Sequence, residues 1–409
     1  MAGAALLFFL VVLCSPPFLS CAQRSAETLA EIEALTSFKL NLHDPLGALN
    51  GWDSTTPSAP CDWRGVDCTD NRVSELRLPR LELGGRLSDR LGNLRMLRKL
   101  SLRSNSFNGT VPSSLSQCTL LRSVFLQNNS LSGKLPAEIG NLSNLQIFNV
   151  ASNHLSGEIS GELPPRLKYL DLSSNSFSGE IPKSIVNLTG LQLINLSYNQ
   201  FSGQVPASFG ELQELEFLWL DYNLLSGPLP SALANCLALV HLSVEGNALG
   251  GVIPAAIGAL PKLQVLALSQ NTLSGTVPYS MFCNVSVFTP SLRIVQLGFN
   301  AFTDIVKPET ASCFSALQVS NLTILDVSSN SFSGVVPPEV GNLTRLEELK
   351  MANNSFSGPI PAEIKQCTLT ARAVPGGKSV LGFNSCKFSQ PFGAGDFELE
   401  REPVDWNFA

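Results

Sequence analysis

An asparagine recurs along this chain at a fixed place in a fixed frame, and that recurrence limits the fold more than any other feature. The positions are Asn105, Asn129, Asn153, Asn175, Asn199, Asn223, Asn247, Asn271, Asn300, Asn330 and Asn354. Successive spacings are 24, 24, 22, 24, 24, 24, 24, 29, 30 and 24 residues. Eight residues before each stands a leucine, from Leu97 to Leu346, and the residues five and three before it are always Leu, Val, Ile, Phe or Met. One such turn cannot bury its apolar face alone, so the turns must stack on one another.

The unit L-x-x-L-x-L-x-x-N-x-L/F-S-G-x-I/V-P is a leucine-rich repeat. Its L-x-L stretch predicts a short strand whose alternate residues point inward, and stacking joins these strands into a parallel sheet. The asparagine turns the chain out of the strand, and its amide can both donate to and accept from buried backbone. A ladder of such amides is expected along the solenoid. The glycine of S-G permits a tight bend, and the prolines that follow, such as Pro112, Pro206 and Pro230, fix φ on the convex side. The expected fold class is an α/β leucine-rich-repeat solenoid with a parallel sheet on the concave face.

Ends need caps. Leu29, Ile32, Leu35 and Phe38 recur at helical spacing in Ala26–Leu40, which predicts an amphipathic capping helix. Trp52 and the segment Cys61-Asp-Trp-Arg-Gly-Val-Asp-Cys68 follow. A Cys61–Cys68 disulfide would staple the cap; a pair of free thiols is the alternative. The first turn, Leu76 to Leu81, lacks the ladder asparagine.

The cap, the 24-residue period and the L-S-G-x-I-P motif resemble the extracellular domains of plant leucine-rich-repeat receptor-like kinases. The resemblance covers about Ala26 to Cys367. It implies a right-handed, twisted superhelix that presents a ligand to a co-receptor and signals through a cytoplasmic kinase.

The expected organisation is a signal peptide at 1–22, an N-terminal cap at 23–72, about twelve turns over 73–367 and a non-repeat tail at 368–409. Ala4 to Leu13 is an apolar run ending before Ser15-Pro16-Pro17, and Ser20-Cys21-Ala22 is a small-residue cleavage site. Secretion removes Cys14 and Cys21 and leaves eight cysteines in an oxidising compartment. An irregular island over 279–320 breaks the period, and a Cys283–Cys313 bridge is expected to pin it, with two free thiols as the alternative. Cys118, Cys236 and Cys367 replace a leucine found in other turns and read as small buried apolar residues. After Cys367 no further repeat, membrane span or kinase motif follows. The tail is expected to be poorly ordered, as a truncated or mis-spliced gene product or as a short secreted isoform. Membrane attachment would need a segment missing from this sequence.

Chemistry finds little support. His43, His154 and His241 stand on different turns, without metal-binding, P-loop or kinase motifs. No cofactor, metal or catalytic role is expected. Net charge is −6, which disfavours a nucleic-acid binder. Only 15% of residues are charged, so solubility needs another source. Nine sequons supply one: Asn108, Asn128, Asn141, Asn187, Asn195, Asn284, Asn321, Asn342 and Asn353. Asn195 falls on the concave face, where a glycan would restrict access; the other reading leaves that site unoccupied.

Binding is the natural use of such a surface. Residues four, two and one before each ladder asparagine are expected on the concave face. Tyr198, Trp219, Asp221, Tyr222, His241 and Glu245 fall on adjacent turns, with Phe125 further off. Clustered aromatic rings on a sheet face suggest a contact site, here one reading a short peptide or protein ligand of some basic character. The plainer reading is that these rings merely pack together. A co-receptor partner follows from the resemblance alone. Alternatives are a secreted inhibitor of a microbial wall-degrading enzyme and a non-functional truncated receptor product.

Overall fold

The computed structural model describes residues 25–159, 161–282, 291–305, 321–336, 338–343, 345–359 and 361–362. Helix α1, Ala26–Leu40, opens the cap, with the Ser25 hydroxyl accepting from the Thr28 N–H at 3.1 Å. Its buried stripe runs through Thr28, Glu31, Ile32, Leu35 and Phe38. Leu29, expected on that stripe, is 52% exposed instead. Glu31 takes the inward place because it has backbone to satisfy there. Its carboxylate accepts from the Val73 N–H at 3.0 Å and the Arg72 Nε at 2.9 Å, and burial raises its pKa. Phe38 stacks on Phe107 at 6.0 Å, which ties the helix to the repeats. Behind it Trp52 and Trp63 stack at 5.1 Å, and Cys61 is bonded to Cys68.

Among the described residues, one inner sheet of 13 strands runs the length of the solenoid. Val66–Thr69 and Arg72–Arg77 pair antiparallel, and the three-residue strands that follow, from Lys99–Ser101 to Glu348–Lys350, are parallel and in register. The L-x-L spacing forces this: Leu100, Leu102, Leu218 and Leu220 point inward and are fully buried. The ladder forms as expected. Asn153 donates from Nδ2 to the carbonyls of Leu126 in the preceding turn and Val150 in its own, both at 3.0 Å. Its Oδ1 accepts from the Leu131 N–H at 2.9 Å. The same pattern repeats from Asn105 to Asn354.

The S-G segment holds more than a bend. Among the described residues it builds most of a second sheet of 11 strands along the flank, running from the cap strand Leu42–His43 through Ser106–Gly109 to Ala301–Ile305. Identical turns set each N–H opposite a neighbouring carbonyl, so the pairing costs no extra chain. Gly109 enters it at φ +76°, a conformation that favours glycine. Pro206 then opens a 3-10 helix over Ala207–Glu211, where the Phe209 N–H donates to the Pro206 carbonyl at 3.1 Å.

The irregular spacing leaves the inner sheet intact. Val265–Ala267, Ile294–Gln296 and Ile324–Asp326 pair in register, and Asn300 still reaches the Leu268 carbonyl at 3.0 Å across 32 residues. The flank sheet is different. The pairing of its last two strands, Thr272–Val277 and Ala301–Ile305, shifts register between Gly275 and Thr276, and Ser333–Val335 with Ser355–Ser357 forms a separate pair. Cys283, Cys313, Asn284, the signal segment and the tail from 363 lie outside the described residues.

Candidate ligand surface on the inner sheet

Three outward columns were expected on the inner face, and the structure adds a fourth. In each three-residue strand the middle residue points in, so both flanking residues point out. The residue six before the ladder asparagine therefore shares the face. This column carries Ile147, Tyr169, Leu193, Phe217, His241, Val265, Ile294 and Ile324 at the first positions of their strands. The strict alternation of the motif contained that signal. His241 was the single member of this column already placed in the site.

The structure brings six of the seven expected site residues together. Trp219 stacks on Phe217 at 5.3 Å and meets the His241 ring at 5.0 Å, tilted by 53°. On the rim, Tyr198 and Tyr222 stack at 4.7 Å and 16°. Asp221 accepts from the Ser243 hydroxyl, from the Ser197 hydroxyl at 3.1 Å and from the Glu245 N–H at 2.9 Å. All three donors are neutral. Phe125 is separate: its strand lies four places before that of Trp219, in a shallow depression it shares with Ile147, Asn149, Tyr169 and Asp171. There the Asn149 amide donates to Asp171 at 3.3 Å.

Burial sets the electrostatics. It pushes the Glu245 carboxyl up to about 7, and the charge of Asp221 beside it acts in the same direction. Asp221 is itself raised by burial, against the hydrogen bonds it accepts. The His241 imidazole is pushed down to about 4, again by burial, and is neutral at neutral pH. Tyr222 is raised, first by burial and then by Glu245. The centre of the face is thus an acidic floor between aromatic walls. Among the described residues Asp221 bonds only neutral donors, and Lys350 acts on Glu245 through its charge, so a cation arriving there would meet two carboxylates in a setting where charge pairing is stronger than in water.

The remaining expected positions divide clearly. Asn108, Asn128, Asn141, Asn187 and Asn353 are exposed, while Asn321 is half-buried. Asn342 ends a 3-10 helix, Pro338–Asn342. Asn195 is half-buried on the inner face, where its Oδ1 accepts from the Ser197 N–H at 3.1 Å. Cys118 and Cys236 are buried thiols, pushed by burial to about 12 and about 11, and they donate to the carbonyls of Leu91 and Phe209.

Comparison with known proteins adds to this geometry. A leucine rich repeat N-terminal domain model matches residues 29–69, and leucine rich repeat models match 96–118, 120–142, 165–225, 321–343 and 345–367. An 82-residue stretch is 54% identical to the probable inactive leucine-rich repeat receptor kinase XIAO of Oryza sativa subsp. japonica, covering 20% of this chain and 7% of that protein. The ectodomain of the Arabidopsis receptor kinase HAESA, solved with an IDA peptide hormone ligand, superposes with a TM-score of 0.69 at 32% identity. That match covers 85% of this chain and 56% of HAESA's, so the chain spans about half the length of that relative. A plant ice-binding protein superposes with a TM-score of 0.61 at 25% identity, covering 81% of this chain and 97% of its own.

Proposed function

This chain is a leucine-rich-repeat protein whose cap and repeats are of the kind that plant receptor kinases carry, and on that premise we propose that its inner sheet is an extracellular ligand-reading surface. The ligand is a peptide or protein segment carrying a basic residue, and the complex recruits a co-receptor. The observation that carries this reading is the pair of carboxylates, Asp221 and Glu245, held in a floor flanked by Trp219, His241 and Tyr222. Partly buried carboxylates whose hydrogen bonds come from neutral donors are costly, and a guanidinium or ammonium from a ligand relieves that cost. The rings add contact area at little entropic expense, and a cation over an indole face gains roughly 0.5–2 kcal/mol more. HAESA, with its peptide hormone, is similar in fold and supports a peptide as the ligand class. No catalytic step is assigned to the chain.

Panning the secreted chain against a random peptide library tests this. Enriched peptides should carry Lys or Arg, and Trp219→Ala should lose most of that binding. Enrichment that is neutral in composition, or that survives Trp219→Ala, refutes it.

A second reading rests on the flank sheet. From Gln200 to Thr276 its outward positions hold no charged residue, and Gln, Ser, Leu, Pro, Ala, Gly and Thr occupy them on strands in register. That stretch carries no sequon. An uncharged array at the roughly 4.8 Å strand repeat suits an ordered water lattice, and the ice-binding protein is similar in fold. Inhibition of ice recrystallisation by the wild type, lost on placing Lys at Ser226 and Ser274, would favour it; no inhibition would remove it.

A further inference from the structure

We propose that Gly246 is a positioning residue for this surface: the side chain it lacks lets the Tyr222 ring lie across the next turn and close the edge of the Asp221–Glu245 floor. The proposal deepens the ligand-surface reading above and rests on it for its functional meaning.

Three observations carry it. The residue before the ladder asparagine is left-handed throughout, at φ +56° in Tyr198, +50° in Tyr222, +57° in Gln270 and +61° in Gly246. Side-chain-bearing residues occupy this backbone in the other turns, so glycine is not required at 246 for its φ. Space is what it provides. A Cβ on Gly246 would sit 2.6 Å from Cδ1 and 2.8 Å from Cε1 of Tyr222, closer than packed atoms approach. The Tyr222 hydroxyl accepts from the Gln270 amide at 3.4 Å, two turns along, so the ring spans the turn of Gly246. On its other side it is stacked by Tyr198.

A larger residue at 246 pushes the ring off its seat. Tyr198 then loses its stacking partner, and water reaches Glu245. The groups facing Glu245 are Asp221 and Tyr222 from the preceding turn, Ser269 from the following one, and Asp326 and Lys350 further along. Of these, Tyr222 is the one whose atoms lie nearest a side chain at 246. The Tyr222 share of Glu245's burial, which together with the charge of Asp221 raises that carboxyl to about 7, therefore depends on this vacancy.

The test uses the full secreted chain labelled with 3-fluorotyrosine, whose 4 tyrosines give separable fluorine resonances. In the wild type the Tyr222 resonance should titrate with a midpoint near 7, and Glu245→Gln should abolish that step. In Gly246→Ser the midpoint should fall by one pH unit or more, and the Tyr198 resonance should move as its stack opens. A wild-type resonance that does not titrate, or a Gly246→Ser protein with midpoint and Tyr198 resonance unchanged, overturns the proposal. Should Gly246→Ser fail to fold, Tyr222→Leu removes the ring with Gly246 intact. It should displace the Tyr198 resonance, and an unchanged Tyr198 resonance overturns the proposal. No ligand enters these measurements. Their failure leaves the ligand reading to its own test, and a failed ligand search leaves them standing.

Discussion

The two faces of the inner sheet come from the same three-residue strands yet follow opposite rules. On the inward face every turn repeats: a leucine or its equivalent at each inward place, and an asparagine making the same bonds from Asn105 to Asn354. On the outward face almost nothing repeats, and its least conventional stretch, Trp219 to Glu245, holds two half-buried carboxylates beside aromatic rings. Stacking explains the first rule, because a turn is stable only if its neighbours present matching surfaces. It does not explain the second. This stretch, free of the stacking constraint, is where the proposed ligand surface lies.

Substitutions should separate the faces by size of effect. Phe201→Ala, at a fully buried ring stacked on Phe177, should cost about 3–5 kcal/mol in thermal or denaturant unfolding. Asn199→Ala should follow at about 3 kcal/mol, since it strands the Phe177 N–H and the carbonyls of Leu172 and Leu196. If either cost no more than Trp219→Ala, the contrast between the faces would collapse.

The third effect is one of pH. The folded Glu245 carboxyl sits at about 7, above its ordinary value of 4.5. Between those values the folded chain holds a proton that the unfolded chain has released. This stabilisation is full below the lower value and gone above the upper one, up to about 3 kcal/mol. His241 works the other way. Its folded value of about 4 lies below the ordinary 6.5, so stability falls as pH drops through that window. The two slopes oppose each other in the wild type. Glu245→Gln should uncover the histidine slope, and urea midpoints between these pH values would show it as a loss of stability toward acid. A continued loss of stability toward neutral pH in that variant would point to Asp221 as the titrating group.

The smallest effect expected is that of Tyr198→Ala. The ring is 43% exposed, and losing its stack on Tyr222 should cost about 1 kcal/mol. A larger loss would mean the rim is part of the framework.

Legibility followed the same division. The ladder, the leucine core and the Cys61–Cys68 staple were readable because each depends on local spacing repeated or enclosed within a few residues. The outward column of Phe217 and His241 was readable too, had the alternation been carried one residue earlier in each strand. The flank sheet was not, since its pairing arises only when separate turns are set side by side. Glu31 was hidden for a similar reason: the backbone it satisfies lies 42 residues away. So was Gly246, whose meaning lies in a ring 24 residues earlier and an amide 24 residues later.

The central claim is that Asp221 and Glu245 await a ligand cation. Its most direct measurement is the affinity of the secreted chain for library-selected peptides with their arginine or lysine kept or replaced by glutamine, followed from mildly acid to mildly alkaline pH. The account predicts that the basic peptides bind more tightly as pH rises through about 7, where Glu245 gives up its proton, and that Glu245→Gln flattens the rise. Equal affinity for the glutamine peptides, or binding of the basic ones that ignores both pH and Glu245→Gln, would contradict it.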